Sequence, residues 1–211
     1  SHLPGAAWHA HEMLFGFAAA VIAGFLLTAA RNWTGLPTAS GPALGALVGL
    51  WLAGRLLNLV GPAGLAAWVD ASFLPVLAVV LGLPLVVARG WPVLAMGIGS
   101  IVAALAYMGG PRPIAYTPFG ELVVFVFFGL IAVAGADYTL TGGPVPPLTW
   151  LAASAMGALA AAALVVNNHR DVEHDAGVGR RTFPVVCGVG ASHALYLASM
   201  LLPFALVPAL A

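Results

Sequence analysis

The chain has 211 residues, of which 62% are hydrophobic and only 7% charged, and its mean hydropathy is +1.03. Soluble domains carry about 25% charged residues, so this composition excludes a water-soluble globule. Seven basic residues balance seven acidic ones, which leaves no basic stripe for a nucleic-acid partner. The composition predicts an all-α, polytopic transmembrane helix bundle surrounded by membrane lipid.

Apolar runs between glycine, proline and charged residues predict about seven spans. In chain order they cover 12–30, 42–60, 66–88, 91–108, 119–141, 148–168 and 192–211. The sequence begins with Ser1 and stops inside an apolar run, so we expect it to be part of a longer protein. The single cysteine, Cys187, excludes an intrachain disulfide.

Two histidines stand at the start of the first predicted span. His9 and His11 are imidazoles that can ligate haem iron or copper. Two positions apart on a helix they face different ways, so a polar cap at the membrane interface is the alternative interpretation.

The residues around these histidines carry a family resemblance. The runs are WHAHEMLFG at 8–16, GFLLTA at 24–29, NWTG at 32–35 and WLAGR at 51–55. They resemble the NnrS family of haem- and copper-associated membrane proteins linked to nitric-oxide stress, and the resemblance extends to about residue 88. It implies that His9 and His11 are candidate ligands of haem or copper.

Ionisable side chains inside the predicted spans are costly and usually face a bundle interior. Arg55 lies in the second span, and we expect it to pair with Asp70 or Glu12 in a structural role. Ligand contact is the alternative. Glu121 and Asp137 lie near opposite ends of the fifth span, where their side chains are predicted to extend to the membrane interface.

The highest charge density of the chain follows the sixth span, at 167–182. Asn167, Asp171 and Asp175 are four residues apart and form one polar stripe if the helix continues through them. Carboxylates at this spacing can hold Mg²⁺ shared with a substrate diphosphate. The candidate substrate-binding residues are Asn167, Asn168, Arg112, Arg170, Arg180 and Arg181, of which the arginines suit phosphate oxygens. The alternative is a solvated loop whose charges pair among themselves.

Three motifs occur in order in this part of the chain. They are GGPRPIAYTPFGEL at 109–122, VNNHRD at 166–171 continuing to Asp175, and GRRT at 179–182. They resemble the UbiA superfamily of membrane prenyltransferases, and within it the 1,4-dihydroxy-2-naphthoate polyprenyltransferases of menaquinone synthesis. The resemblance implies a helical bundle with a central cavity that binds Mg²⁺, a polyprenyl diphosphate and an aromatic acceptor. It implies that Asn167, Asp171 and Asp175 form the second Asp-rich motif, with Asp171 and Asp175 as catalytic magnesium ligands.

The two resemblances predict two parts, an NnrS-like segment of three helices at 1–89 and a UbiA-like segment of four helices at 90–211. The resemblance to the UbiA superfamily implies two Asp-rich motifs that bind Mg²⁺. Upstream of Gly90 nothing resembles the first of them, because Glu12 and Asp70 each stand alone in the sequence. We therefore expect an impaired prenyltransferase, an enzyme that transfers alkyl groups if it is active. The alternatives are an NnrS-like haem or copper protein of the nitric-oxide response, a non-catalytic fusion, two genes joined by sequence assembly, and a working prenyltransferase with a replaced first motif.

The arginines also predict the orientation in the membrane. Arg112, Arg170, Arg180 and Arg181 fall on one side if spans four to six alternate. Cytoplasmic loops carry an excess of basic residues. We therefore expect a multi-pass protein of the bacterial inner membrane, with the loop at 171–175 in the cytoplasm.

Overall fold

The computed structural model describes residues 4–210. Helices make up 86% of the structure, and the described part of the chain contains no strand. Among residues 4–210, seven helices are long and apolar enough to cross a membrane, which confirms the predicted all-α bundle. In hydrocarbon a helix satisfies its own backbone hydrogen bonds, whereas an open sheet edge does not.

The helices follow one another with short connections. They are α1 (Gly5–Thr34), α2 (Gly41–Val60), α3 (Ala63–Arg89), α4 (Trp91–Met108), α5 (Gly120–Thr141), α6 (Pro147–Arg170), the short α7 (Val172–Gly177) and α8 (Phe183–Leu206). Two of them contain π-helical stretches, at Glu12–Ala18 in α1 and at Phe125–Ala134 in α5.

The first and last spans differ most from the predicted ones, and both begin earlier in the chain. α1 begins at Gly5 and not at residue 12, because the polar segment before the apolar run is itself helical. α8 begins at Phe183 and not at residue 192, with a break in its helical geometry at Gly188, where φ is 85°. Proline suits the first turn of a helix, and Pro184 occupies that turn.

The chain divides into two compact units, of which unit 1 ends at Gly90 and unit 2 begins at Trp91. Unit 1 contains α1 to α3 and unit 2 contains α4 to α8. That each segment derives from a separate family stays a prediction. The buried apolar core of unit 1 is formed by Ala19, Ala23, Leu27, Leu47, Phe73 and Leu77.

In unit 2 the packing of α5 against α6 depends on two glycines. A Cβ atom at Gly157 would lie 2.6 Å from the Phe125 carbonyl oxygen and 3.1 Å from the Cα of Gly129. Small residues let helix backbones approach closely in membranes. This contact brings the start of α5 and the end of α6 to the same end of unit 2, where polar residues gather.

Candidate functional site

The polar end of unit 2 is built from the loop before α5, the end of α6, α7 and the start of α8. The side-chain amide of Asn168 donates to Glu121 Oε1 at 2.8 Å, which joins α6 to α5. The backbone N–H of Arg181 donates to the carbonyl oxygen of Tyr116 at 2.9 Å. These bonds bring together the 109–122 and 179–182 motifs, which are far apart in the sequence.

Asp175 is the buried centre of this polar end, with 2% of its surface exposed. Its carboxylate accepts hydrogen bonds from Arg180 Nη1 at 3.1 Å and from the Thr182 hydroxyl at 3.3 Å. The Arg180 guanidinium lies over the Tyr116 ring, 4.4 Å from its centroid. A guanidinium held by a buried carboxylate and an aromatic face has a fixed position.

Asp171 has a different environment. It interrupts the helix between α6 and α7, with φ −96° and ψ 11°, and its side chain is 45% exposed. Arg170 donates to both carboxylate oxygens, from Nε at 2.8 Å and from Nη2 at 3.0 Å. Hydrogen bonding from Arg170, supported by the charges of Arg170, His174 and Arg180, lowers the pKa of Asp171 and outweighs desolvation, so this carboxylate is ionised.

The predicted stripe of Asn167, Asp171 and Asp175 is not one continuous surface. Asn167 is exposed, Asp171 half-buried and Asp175 buried, because the helix is interrupted at Asp171. The three side chains therefore differ in exposure, and their joint role in a magnesium site stays a prediction. In the described part of the chain no group of three or more His, Cys, Asp or Glu side chains is placed to hold a metal ion by itself.

The predicted phosphate-binding arginines take different positions. Arg180 is the cation at Asp175, while Arg170 is exposed and pairs with Asp171. Arg112 and Arg181 are also exposed. Tyr116 and Thr182 complete the environment of Asp175 and Arg180, and residue spacing gave them no role. Their positions in the 109–122 and 179–182 motifs are the only sequence signal for them.

An apolar groove of about 530 Å³ adjoins the polar end of unit 2. It runs between α4 and α5, and aromatic and aliphatic side chains dominate its walls. Its lining includes Ala103, Tyr107, Met108, Val124, Phe127 and Phe128. The volume lies within the range of about 300–1,000 Å³ that is typical of ligand sites.

Unit 1 contains a second polar cluster, and here the expected pairing of Arg55 is confirmed. Its guanidinium donates to Glu12 Oε1 at 3.1 Å and to Asp70 Oδ1. Asn58 also donates to Asp70. Glu12 and Asp70 stand alone in the sequence, but the fold brings both to one arginine. Gly54 makes this possible, because any Cβ there would collide with the Asp70 carboxylate.

The same cluster engages one of the two candidate metal-binding histidines. His11 Nδ1 lies 3.1 Å from Glu12 Oε1, and His11 Nε2 lies 3.2 Å from Asp70 Oδ2. Both ring nitrogens therefore face carboxylate oxygens, whereas a haem or copper ligand must offer one nitrogen to the metal. His9, two residues earlier, is exposed. That His9 and His11 ligate haem or copper stays a prediction.

Comparisons with known proteins support both resemblances. A sequence model described as NnrS protein matches residues 1–167. The chain is 38% identical over 123 residues to a 1,4-dihydroxy-2-naphthoate octaprenyltransferase of Mycobacterium tuberculosis, which is 57% of this chain and 41% of that protein. It is 41% identical over 95 residues to the protein of the same name in Escherichia coli, which is 45% of this chain and 30% of that protein.

A third relative comes from an animal. The UbiA prenyltransferase domain-containing protein 1 homolog of Drosophila melanogaster is 32% identical over 111 residues, 51% of this chain and 30% of that protein. This chain thus matches less than half the length of these curated relatives. No solved structure matches it.

The NnrS match extends further than expected. It continues to residue 167, whereas the sequence resemblance was expected to end at about residue 88. Only residues 168–211 lie beyond it, so a match of 123 residues to the mycobacterial protein must overlap it. The two similarities therefore do not separate cleanly at Gly90.

Proposed function

The chain belongs to the NnrS protein family and also shares sequence with 1,4-dihydroxy-2-naphthoate octaprenyltransferases. From this premise we propose that unit 2 binds a polyprenyl diphosphate. The diphosphate lies at the polar end of unit 2, and the isoprenoid chain occupies the apolar groove. The observation that carries this proposal is the Arg180 guanidinium, fixed by Asp175 and Tyr116 beside the exposed pair of Arg170 and Asp171.

Each of these groups has a separate role in binding. Arg180 supplies a positioned positive charge, and a guanidinium suits phosphate oxygens because it can donate two parallel hydrogen bonds. Arg170 is 69% exposed, so it can leave Asp171 for a phosphate oxygen at little cost, since exposed ion pairs contribute only about 0–1 kcal/mol. Asp175 acts through Arg180 as a positioning residue.

The donor set at this end of unit 2 fits Mg²⁺. The ion is usually held by one or two carboxylates together with substrate phosphates and water. Asp171 becomes available when Arg170 moves, and the exposed Asn167 lies one helical turn before it. Mg²⁺ bound there would neutralise charge on the departing diphosphate. Asp175 fits this role less well, because Arg180 and Thr182 already occupy its oxygens.

Transfer of the prenyl group to an aromatic acceptor is proposed to be slow. The two acidic residues of unit 1 are Glu12 and Asp70, and both are engaged by Arg55 and His11. Neither is free to form a second metal-binding cluster. Removing one stabiliser of transition-state charge commonly reduces rates by about 10²–10³, so losing a whole cluster costs at least that much.

The binding proposal is tested with the full chain in lipid nanodiscs and geranylgeranyl diphosphate. We expect binding that strengthens with Mg²⁺ and weakens at least tenfold in Arg180→Gln, since hydrogen bonds to charged groups contribute about 1.5–3 kcal/mol. Arg31→Gln is the matched control, because it removes the same charge from an exposed position of unit 1. Equal affinity in both variants would contradict the proposal.

A second function, favoured by the NnrS match, is haem or copper binding through His9. The observation that favours His9 is the difference between an exposed ring and the His11 ring held by two carboxylates. Purified protein should then show haem or copper absorbance that is lost in His9→Ala. The matched variant His11→Ala should retain it, and retention in His9→Ala would exclude this role.

A further inference from the structure

Glu121 is a buried carboxylate that accepts a hydrogen bond at only one of its two oxygens among the described residues. It lies in the first turn of α5 and is 4% exposed, so it does not extend to the membrane interface as predicted. Oε1 accepts the amide of Asn168 at 2.8 Å. Oε2 is buried and has no hydrogen-bond donor among the described residues. Burial of an unsatisfied acceptor is costly, so this oxygen can stabilise a ligand that brings a donor.

The neighbours of Glu121 connect it to the apolar groove. A Cβ atom at Gly120 would lie 3.7 Å from the Tyr107 hydroxyl and 3.6 Å from Leu164 Cδ2. The Tyr107 hydroxyl therefore lies close to the start of α5. Tyr107 and Val124 both line the groove, so one end of the groove lies at the start of α5, the segment that carries Glu121.

On the basis of the proposed prenyl diphosphate function, we infer that Glu121 and Asn168 recognise the hydroxyl group of an aromatic acceptor. The acceptor is a neutral phenol or naphthol whose O–H donates to Glu121 Oε2, while its ring packs beside Tyr107 at the end of the groove nearest the start of α5. Asn168 holds the carboxylate in place through Oε1. Glu121 thereby selects acceptors that carry a hydroxyl donor.

This chemistry follows from the surroundings of the carboxylate. Apolar walls favour a neutral aromatic ring, and the Tyr107 ring offers an aromatic surface for it. A site that must satisfy a buried acceptor rejects a ligand of similar shape that lacks the donor, because its own oxygen is then left unpaired. A hydroxyl and its methyl ether are therefore discriminated strongly here.

The test compares two probes, 1-naphthol and 1-methoxynaphthalene, on the full chain in nanodiscs, with partition into empty nanodiscs subtracted. We expect 1-naphthol to bind at least tenfold more tightly, as a hydrogen bond to a charged group allows. In Glu121→Leu the preference should fall to about onefold. Asp137→Leu is the matched control, because Asp137 lies on the same helix and also has a buried carboxylate oxygen without a donor; it should keep the preference.

The outcomes separate this inference from the proposed function. The inference is overturned if both probes bind equally to the unchanged chain, which is expected if water alone satisfies Oε2. It is also overturned if the preference for 1-naphthol survives in Glu121→Leu. Binding of geranylgeranyl diphosphate is measured on the same samples. If Glu121→Leu still binds geranylgeranyl diphosphate, the variant is folded. If the unchanged chain does not bind geranylgeranyl diphosphate, the proposed function is refuted independently of the naphthol result.

Discussion

Replacement of Gly157 by alanine tests how closely α5 and α6 must pack to form the polar end of unit 2. The new Cβ atom would lie 2.6 Å from the Phe125 carbonyl oxygen and 2.9 Å from Phe125 Cδ2. It would also lie 3.1 Å from the Cα of Gly129. Two of these three atoms belong to the backbone, so a side-chain rotation cannot relieve the overlap. The helices must separate.

Two opposing effects determine the size of the change. Overpacking in a close-packed interior costs about 1–3 kcal/mol, and the backbone overlap places Gly157→Ala in the upper part of that range. Alanine favours the helix over glycine by about 1 kcal/mol. The net expectation is a destabilisation of about 1–2 kcal/mol.

The control uses a glycine whose surroundings are open. Gly99 in α4 has no atom within 4 Å of an added Cβ, so Gly99→Ala gains helix propensity without overlap and should be neutral or stabilising by up to about 1 kcal/mol. Thermal unfolding of both purified full-length variants in the same detergent measures the difference. If Gly157→Ala proves as stable as Gly99→Ala, the close approach of α5 and α6 is refuted.

Three further predictions concern the charged residues. Asp175→Asn removes the charge that holds Arg180, so geranylgeranyl diphosphate should bind about tenfold more weakly; unchanged affinity in a binding titration would show that Arg180 needs no anchor. The lowered pKa of Asp171 predicts that its carboxyl carbon, followed by NMR, titrates below the ordinary value of 3.8. Its ion pair then persists at neutral pH and is lost only as the pH falls through that lowered pKa, so a midpoint at or above 3.8 would contradict the observed pairing. Asp70→Asn removes the charged acceptor of Arg55 and Asn58 while Glu12 still pairs with Arg55, and thermal unfolding should show a loss of about 1.5–3 kcal/mol; a loss below about 1 kcal/mol would indicate an exposed pair.

The fold was largely predictable because hydropathy alone identifies the membrane-spanning helices. Long apolar runs have few alternatives in a membrane protein, which is why seven spans were expected and the described residues contain seven candidate spans. The errors fall at the ends of spans. The seventh span was predicted to begin at residue 192, yet α8 begins at Phe183, and a single positive φ at Gly188 interrupts its helical geometry.

The candidate site was predictable only in its residue types. The sequence identified Asp171 and Asp175, but spacing cannot show that one is exposed and the other buried, because that depends on the interruption after Arg170. The burial of Glu121 depends on the contact between α5 and α6, and the residues that form this contact are distant in the sequence. Likewise, Arg55 could be assigned a carboxylate partner from charge balance, but its simultaneous pairing with two carboxylates required the three-dimensional packing of unit 1.

The most direct test of the central claim measures binding and transfer together on the full chain in nanodiscs, with geranylgeranyl diphosphate, Mg²⁺ and dihydroxynaphthoate. We predict binding that depends on Mg²⁺ and on Arg180, with prenylated product formed at least 10²-fold more slowly than by a complete octaprenyltransferase assayed alongside. The absence of diphosphate binding would contradict the assignment of unit 2. Rapid Mg²⁺-dependent prenylation would contradict the account of the acidic residues in unit 1, which assigns both to Arg55 and His11 and none to the reaction.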